Sequence, residues 1–295
     1  MIGETFNLQG HRGARGLVPE NTLPSFETAL DIGVSSIETD LHLSRDGVVV
    51  ISHEPAVGQP PRLISEMTLA DLRQIRVDRH PDPSRFPHQQ ATLTPLAASF
   101  AAARQIHPYA PPTLDDLLAF VIAYGQATEK SPEQQTRAAR VILDLELKRV
   151  PARPKYVGDA FDGRTPGLLE ERLLEVVARQ GMLERIVVRS FDHRSVAVLK
   201  LREPRLRTAI LVAGTAPVAP EELARGAGAA MYCPEAAFLD ELQVRQLHAA
   251  GIAVVPWTVN DAADWAALLA WGVDGITTDY PDRLAVWLRQ RGVAW

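Results

Sequence analysis

Residues 141–148 read Val-Ile-Leu-Asp-Leu-Glu-Leu-Lys, a period of two that a β-strand splits onto opposite faces. Leu143, Leu145 and Leu147 share one face; Asp144, Glu146 and Lys148 share the other. The leucine face asks for a cover of helices, which sends the charges to the opposite side. Burial there is costly unless the charges are paired, solvated or bound to a cation. A solvated edge strand of an open sheet meets that demand, and so does the mouth of a closed barrel.

The remaining segments favour the barrel. A short strand at 5–10 runs into His11-Arg12-Gly13. At 20–33, Leu23, Phe26 and Leu30 stand near helical spacing, with Asn21 and Thr22 as capping residues and Gly33 as the stop. Residues 34–43 predict a strand, Arg45-Asp46-Gly47 a turn, and 48–52 a returning strand that completes a hairpin. A helix at 113–124 precedes the strand at 141–148. Four strand–helix pairs follow, with strands at 186–190, 208–212, 229–233 and 252–258, then a last strand at 275–278 and a helix at 281–291. Eight main strands with intervening helices predict an α/β fold, a (β/α)8 TIM barrel, rather than a doubly wound sheet. No Gly-rich dinucleotide fingerprint follows the first strand.

A length of 295 residues, which alone suggests two domains, is then a single barrel domain over 1–295. The rhythm breaks at 54–112. That stretch has a helix at 65–75, the turns His80-Pro81-Asp82-Pro83 and Phe86-Pro87-His88, and an alanine-rich run around 97–103. It is too long for a structureless loop in a compact domain, so it reads as a small inserted subdomain after the hairpin.

Composition narrows the function. Thirty-one Lys and Arg against thirty-six Asp and Glu give a net charge of −5, with no basic block to attract nucleic acid. No run of about 18 apolar residues offers a membrane span. Cys233 is the single cysteine, which excludes an intrachain disulfide and a multi-cysteine metal site. The opening Met-Ile-Gly-Glu-Thr-Phe-Asn has neither a basic start nor an apolar core of a signal peptide. The expectation is a soluble cytoplasmic protein, or a periplasmic one whose signal peptide has been removed. No feature points to an oligomeric state.

The second strand repeats the charged alternation: Ser36, Glu38, Asp40 and His42 share a face. Two carboxylates at i and i+2 suit a hard divalent cation, and Glu146 from a neighbouring strand offers a third. Without histidine or thiolate in the set, Mg²⁺ or Ca²⁺ is favoured over Zn²⁺. The alternative is a buried carboxylate group held by Arg and Lys. His11 and His53 follow strands, where barrel catalysis is placed, and a histidine pair can act as general acid and base. Arg12 offers a planar fork for phosphate oxygens, or a structural ion pair with Glu20 or Glu38. His80, His88, His107, His193 and His248 read as surface or core residues.

Taken in order, several blocks resemble glycerophosphodiester phosphodiesterases. They are His11-Arg12-Gly13, Pro19-Glu20-Asn21-Thr22, Ser25-Phe26, Ile37-Glu38-Thr39-Asp40 and Asp46-Gly47 running back to His53. Later come Pro112-Thr113-Leu114, Glu146-Leu147-Lys148, Ser190-Phe191, Trp257-Thr258-Val259-Asn260 and Gly272-Val-Asp-Gly-Ile-Thr-Thr-Asp-Tyr-Pro281. The blocks span residues 8 to about 284. The resemblance implies a TIM barrel with an inserted subdomain and one divalent cation, Mg²⁺ or Ca²⁺, on Glu38, Asp40 and Glu146. It implies His11 and His53 as the acid/base pair, Arg12 and Lys148 facing phosphate, Glu20 near the metal, and Trp257 lining the mouth. The implied reaction turns a small-molecule glycerophosphodiester into sn-glycerol 3-phosphate and an alcohol. A lysophospholipase D-like or phosphoinositide-type phosphodiesterase and a non-catalytic phosphodiester-binding protein are the alternatives on the same barrel. Two departures stand out: Glu54 follows His53 where the family usually has Asp, and 55–62 fits the family pattern poorly.

Overall fold

The computed structural model of the protein describes residues 5–77 and 83–295. The first four residues of the opening and most of the expected turn at His80-Pro81-Asp82-Pro83 lie outside the described residues. In chain order the first elements are β1 (Asn7–His11), α1 (Leu23–Ile32), β2 (Ser36–Leu43) and β3 (Val49–Ile51). Then come β4 (Ala56–Val57), β5 (Arg62–Leu63), α2 (Leu69–Leu72), α3 (Pro95–Ala103), α4 (Leu114–Gln126) and α5 (Pro132–Ala138). The middle holds β6 (Ile142–Leu147), α6 (Leu168–Arg179), β7 (Ile186–Ser190), α7 (His193–Arg202), β8 (Arg207–Val212) and α8 (Pro220–Gly226). Last are β9 (Met231–Pro234), α9 (Glu241–Ala249), β10 (Ala253–Val254), α10 (Ala262–Trp271), β11 (Gly275–Thr278) and α11 (Pro281–Arg289).

Among the described residues, eight parallel strands run in the order β10-β9-β8-β7-β6-β2-β1-β11, and β3 returns antiparallel on β2. The ends of this sheet meet through backbone hydrogen bonds from Asp274 N to Val254 O (2.9 Å), Thr277 N to Pro256 O (3.0 Å) and Val259 N to Thr277 O (2.9 Å). The barrel is therefore nearly closed, as the strand count requires. The strand expected at 252–258 pairs in a ladder only at its start, because Pro256 has no N–H to donate.

The period of two now has a physical meaning. Leu143, Leu145 and Leu147 join Leu8, Ile37 and Ile276 in the core between sheet and helices. The inward faces of β7–β10 carry an apolar lining of Val187, Ala209, Leu211, Met231, Cys233 and Val255. Across the interior, β1, β2 and β6 turn Gln9, Glu38, Asp144 and Glu146 inward, fully buried or nearly so.

α1 begins at Leu23 because the Thr22 side chain accepts the N–H of Ser25, and it ends at Gly33, whose φ of 82° is the left-handed cap. The helix expected at 65–75 is split into a 3₁₀ turn at Ile64–Glu66 and α2, since Thr68 and Asp71 form a capping box that starts a new helix. Ile64, Met67, Leu72 and Val50 form a small cluster of their own. α3 instead packs Leu96, Ala97 and Ala101 into the main core, and Ala97 N donates to Glu27 Oε2 at 2.7 Å. Residues 64–72 and 95–103 thus serve different cores.

Gly275 pairs with Asn7 across the β1–β11 ladder, and a Cβ there would lie 2.4 Å from Asn7 O and 2.5 Å from Asn7 Cβ. Gly275→Ala is expected to destabilise the barrel by about 1–3 kcal/mol, read as a lower urea midpoint with an unchanged slope.

Candidate active site at the C-terminal mouth of the barrel

His11 closes β1, Glu38 and Asp40 sit in the second half of β2, Glu146 nears the end of β6, and Lys148 follows it. The parallel register aligns Asp40 with Glu146 and Glu38 with Asp144. A cavity of about 530 Å³ opens here, lined by His11, Arg12, Glu38, His53, Glu146 and Lys148. Trp257 and Phe191 form part of its rim, in an edge-to-face contact at 5.6 Å between ring centres. The Trp257 indole N–H donates to Cys233 O at 2.8 Å, which fixes the ring on β9.

Glu38, Asp40 and Glu146 each present one carboxylate oxygen within 4.8 Å of the others. Burial, then the charges of Asp40 and Glu146, push the Glu38 carboxyl up to about 8. Burial raises Glu146 as well. Burial would raise Asp40 too, but Arg12 and Lys148 hold it far below the usual carboxylate range. Asp40 Oδ1 is buried without a hydrogen bond, with Lys148 Nζ at 3.4 Å. A triad of hard oxygens, one of them unsatisfied and another costly to ionise, fits a divalent cation such as Mg²⁺ or Ca²⁺.

The cations nearby are not free. Lys148 Nζ lies 2.8 Å from Glu146 Oε1. Arg12 Nη1 donates to Glu20 Oε1 at 2.8 Å, and its Nε lies 3.1 Å from Asp40 Oδ2. Arg12 adopts a left-handed φ of 52°, an uncommon conformation for a residue with a side chain. Its backbone is pinned there: the N–H donates to Glu38 Oε2, and the carbonyl accepts from Asn21 N and Ser25 Oγ. Glu20 stands behind this loop, bridging Arg12 and Arg15. Of the structural partners expected for Arg12, Glu20 pairs with its guanidinium, as does the unexpected Asp40, whereas Glu38 is bonded by the Arg12 backbone N–H.

His11 Nδ1 is 2.6 Å from Asp279 Oδ1, and its Nε2 is 3.8 Å from Glu38 Oε2. Burial and the Arg12 charge push its pKa down to about 4, against the pull of Asp279. Asp279 resists burial through its bond to His11 and is held down at about 2. Asn260 completes the brace: its amide donates to Asp279 Oδ2 at 2.9 Å and accepts from Asp279 N at 2.9 Å. His53 is more open. Its Nδ1 is 2.8 Å from Glu54 Oε1, so the longer Glu54 still reaches the ring. Burial lowers the His53 pKa despite the neighbouring Asp40.

The structure thus brings His11, His53, Arg12, Lys148, Trp257, Glu38 and Glu146 to one cavity, with Asp40 directly beneath and Glu20 behind. Asp279, Asn260, Arg15 and Arg189 were not among the expected site residues. Arg189 is fully buried under the mouth and spans Glu38 Oε1 (3.5 Å), Asp144 Oδ1 (3.3 Å) and Gln9 Oε1 (3.2 Å). A charged residue at inward parity in Ile-Val-Val-Arg-Ser was the available signal for it. Of the other histidines, His193 bonds the carbonyl of Leu211, a mouth-lining residue, without itself lining the cavity, His248 bonds Asp274, and His80 lies outside the described residues.

A TIM barrel whose mouth joins an oxygen-only carboxylate cluster, two histidines and fixed cations defines a barrel enzyme with an anion-handling site. Residues 11–283 match the model of the glycerophosphoryl diester phosphodiesterase family, and the chain belongs to that family of phosphoric diester hydrolases. It is 27% identical over 289 residues to a glycerophosphodiester phosphodiesterase of Bacillus subtilis, covering 92% of this chain and 83% of the relative. A crystal structure assigned as a glycerophosphoryl diester phosphodiesterase from Silicibacter pomeroyi superposes with a TM-score of 0.80 at 28% identity, covering 99% and 95% of the two chains. An Oleispira antarctica phosphodiesterase, solved with the product sn-glycerol-3-phosphate, shares the fold with a TM-score of 0.71 at 23% identity, covering 95% and 96%.

Proposed function

We propose that this chain hydrolyses glycerophosphodiesters to sn-glycerol 3-phosphate and an alcohol, with His11 and His53 as the proton-transfer pair and a divalent cation on Glu38, Asp40 and Glu146. The observation that carries the reading is His11 braced at Nδ1 by Asp279 beside a three-carboxylate cluster in one cavity. The relative named as a glycerophosphodiester phosphodiesterase and the neighbour holding sn-glycerol-3-phosphate support the substrate class.

A divalent cation, when bound, would neutralise non-bridging phosphoryl oxygens and stabilise charge developing on them. The side chains supply the rest. With Nδ1–H donated to Asp279, His11 keeps Nε2 as an acceptor, and its low pKa keeps it neutral at pH 7. It takes the proton of the attacking hydroxyl or water. His53 protonates the leaving alcohol's oxygen. Lys148 and Arg12 hold the phosphate oxygens, and Trp257 with Phe191 bounds the space for the substrate's organic part.

Cation binding itself gives a test independent of turnover. At pH 6.5 the metal-free Glu38 carboxyl, with its pKa at about 8, holds a proton. A dication beside it requires the carboxylate, so titration with Mg²⁺ or Ca²⁺ is expected to release roughly one proton, and less as pH rises past 8. Calorimetry in buffers of different ionisation enthalpy measures this release. Glu38→Gln should abolish it; cation binding unchanged by that substitution would exclude Glu38 as a ligand.

A further inference from the structure

The end of the barrel opposite the mouth holds a second cavity, of about 490 Å³. TIM barrels normally fill their interior with side chains, but here the floor is made by the short polar Asn7 and Ser36. Asn7 Oδ1 accepts from Ser36 Oγ at 2.6 Å, and its amide nitrogen donates to nothing among the described residues. The volume falls within the range of small-molecule pockets.

Three arginines line this cavity: Arg137, Arg140 and Arg207. The Arg140 guanidinium has no hydrogen bond or ion pair among the described residues. Arg207, the first residue of β8, gives one Nη2 bond to the Glu184 carbonyl at 2.6 Å; it forms no ion pair among the described residues, and the charges of Glu184 and Asp144 reach it only at longer range. Arg137 bonds the Gly33 carbonyl and shares a surface pair with Glu133 at 3.2 Å. Asp144, the one acid of the lining, is already bound by Gln9 at 2.9 Å and by Arg189 at 3.3 Å. Among the described residues, none of the three arginines forms an ion pair with a carboxylate of the lining, in a chain whose net charge is −5.

One wall is Trp295. Its indole N–H donates to the Gly33 carbonyl at 2.9 Å, and Arg137 and Arg289 lie 5.7 and 5.5 Å from its ring centre. The ring is thus held in place as a flat apolar face beside the cationic group. Guanidinium forks match phosphate oxygens, and three of them around one hollow match a dianion better than a monoanion.

We propose that this end of the barrel is a second, non-catalytic ligand site, taking a small phosphate monoester with a planar body. The phosphate lies among Arg137, Arg140 and Arg207, and the planar body lies against Trp295. The site does not depend on which reaction the mouth performs.

The probe is 1-naphthyl phosphate, titrated calorimetrically into the full chain in EDTA with saturating glycerophosphocholine, a monoanionic diester, to occupy the mouth. One binding event is expected to remain. Arg140→Ala and Arg207→Ala should each weaken it about tenfold or more, whereas Lys148→Ala should leave it unchanged. Arg140 is exposed, so its substitution keeps the fold, checked by an unchanged Tm and unchanged kcat/KM on glycerophosphocholine. Loss of all binding under saturating glycerophosphocholine would overturn the proposal. So would a remaining event indifferent to both arginine substitutions.

Discussion

His11→Ala is expected to lower kcat for glycerophosphodiester hydrolysis by about 10²–10⁴-fold, the usual contribution of a positioned proton-transfer group. The ring is buried at the end of β1, and its Nδ1 is committed to Asp279, so no other described side chain offers a nitrogen base at that point of the cavity. Its truncation removes no ladder hydrogen bond of β1, and circular dichroism should show an intact fold. His53→Ala should produce a loss of similar order, because the partner proton transfer is then missing. Asp279→Asn tests the brace on His11. It keeps a hydrogen-bond acceptor for His11 but removes the charge that raises the ring's pKa, so the acidic limb of the kcat/KM profile should move to lower pH. Near wild-type kcat in both histidine variants would remove the acid/base assignment.

Arg189→Met is expected to destabilise the metal-free protein by about 3–5 kcal/mol at pH 7.5, the scale for breaking a buried ion network from one side. Arg189 is among the largest fully buried side chains, and it faces Asp144, Glu38 and Gln9 at once. Met keeps an unbranched apolar stem in its place but leaves Asp144 in a low-dielectric interior with only Gln9 as a hydrogen-bond donor. Burial already raises the pKa of both Asp144 and Glu38, so in the variant they take up protons more readily still. The penalty should therefore shrink as pH falls from 7.5 to 5, because protonation removes the unpaired charge. Urea unfolding in EDTA at the two pH values measures this. The double variant Arg189→Met with Asp144→Asn should recover part of the loss, and equal destabilisation by the single and double variants would exclude the charge network as the cause.

These two side chains also mark where the sequence was legible. The carboxylates Glu38, Asp40 and Glu146 could be found from the chain alone, because a strand with a period of two must put them on one face and the helices claim the other. The strands at 186–190 and 275–278 match residue for residue, each short and β-branched with clear punctuation on its flanks. Asp279 was hidden: it lies 268 positions from His11, and only ring closure brings β11 beside β1. α5 escaped because Pro-Glu-Gln-Gln-Thr-Arg-Ala buries only Ala138 and so carries no apolar stripe. The helix expected at 65–75 failed for a local reason, the Thr68–Asp71 capping box interrupting an otherwise helical run. Arg12 offered two readings from its type, and the pairing with Glu20 and Asp40 became visible only once the loop's left-handed turn was known.

No helix of the described residues is long and apolar enough to cross a membrane. The most direct measurement follows glycerophosphocholine by ³¹P NMR with the full chain in Mg²⁺ or Ca²⁺ and in EDTA. The expected result is conversion to sn-glycerol 3-phosphate and choline with at least one of the two cations, and none in EDTA. Release of phosphocholine and glycerol instead, or no turnover of any glycerophosphodiester with either cation, would contradict it.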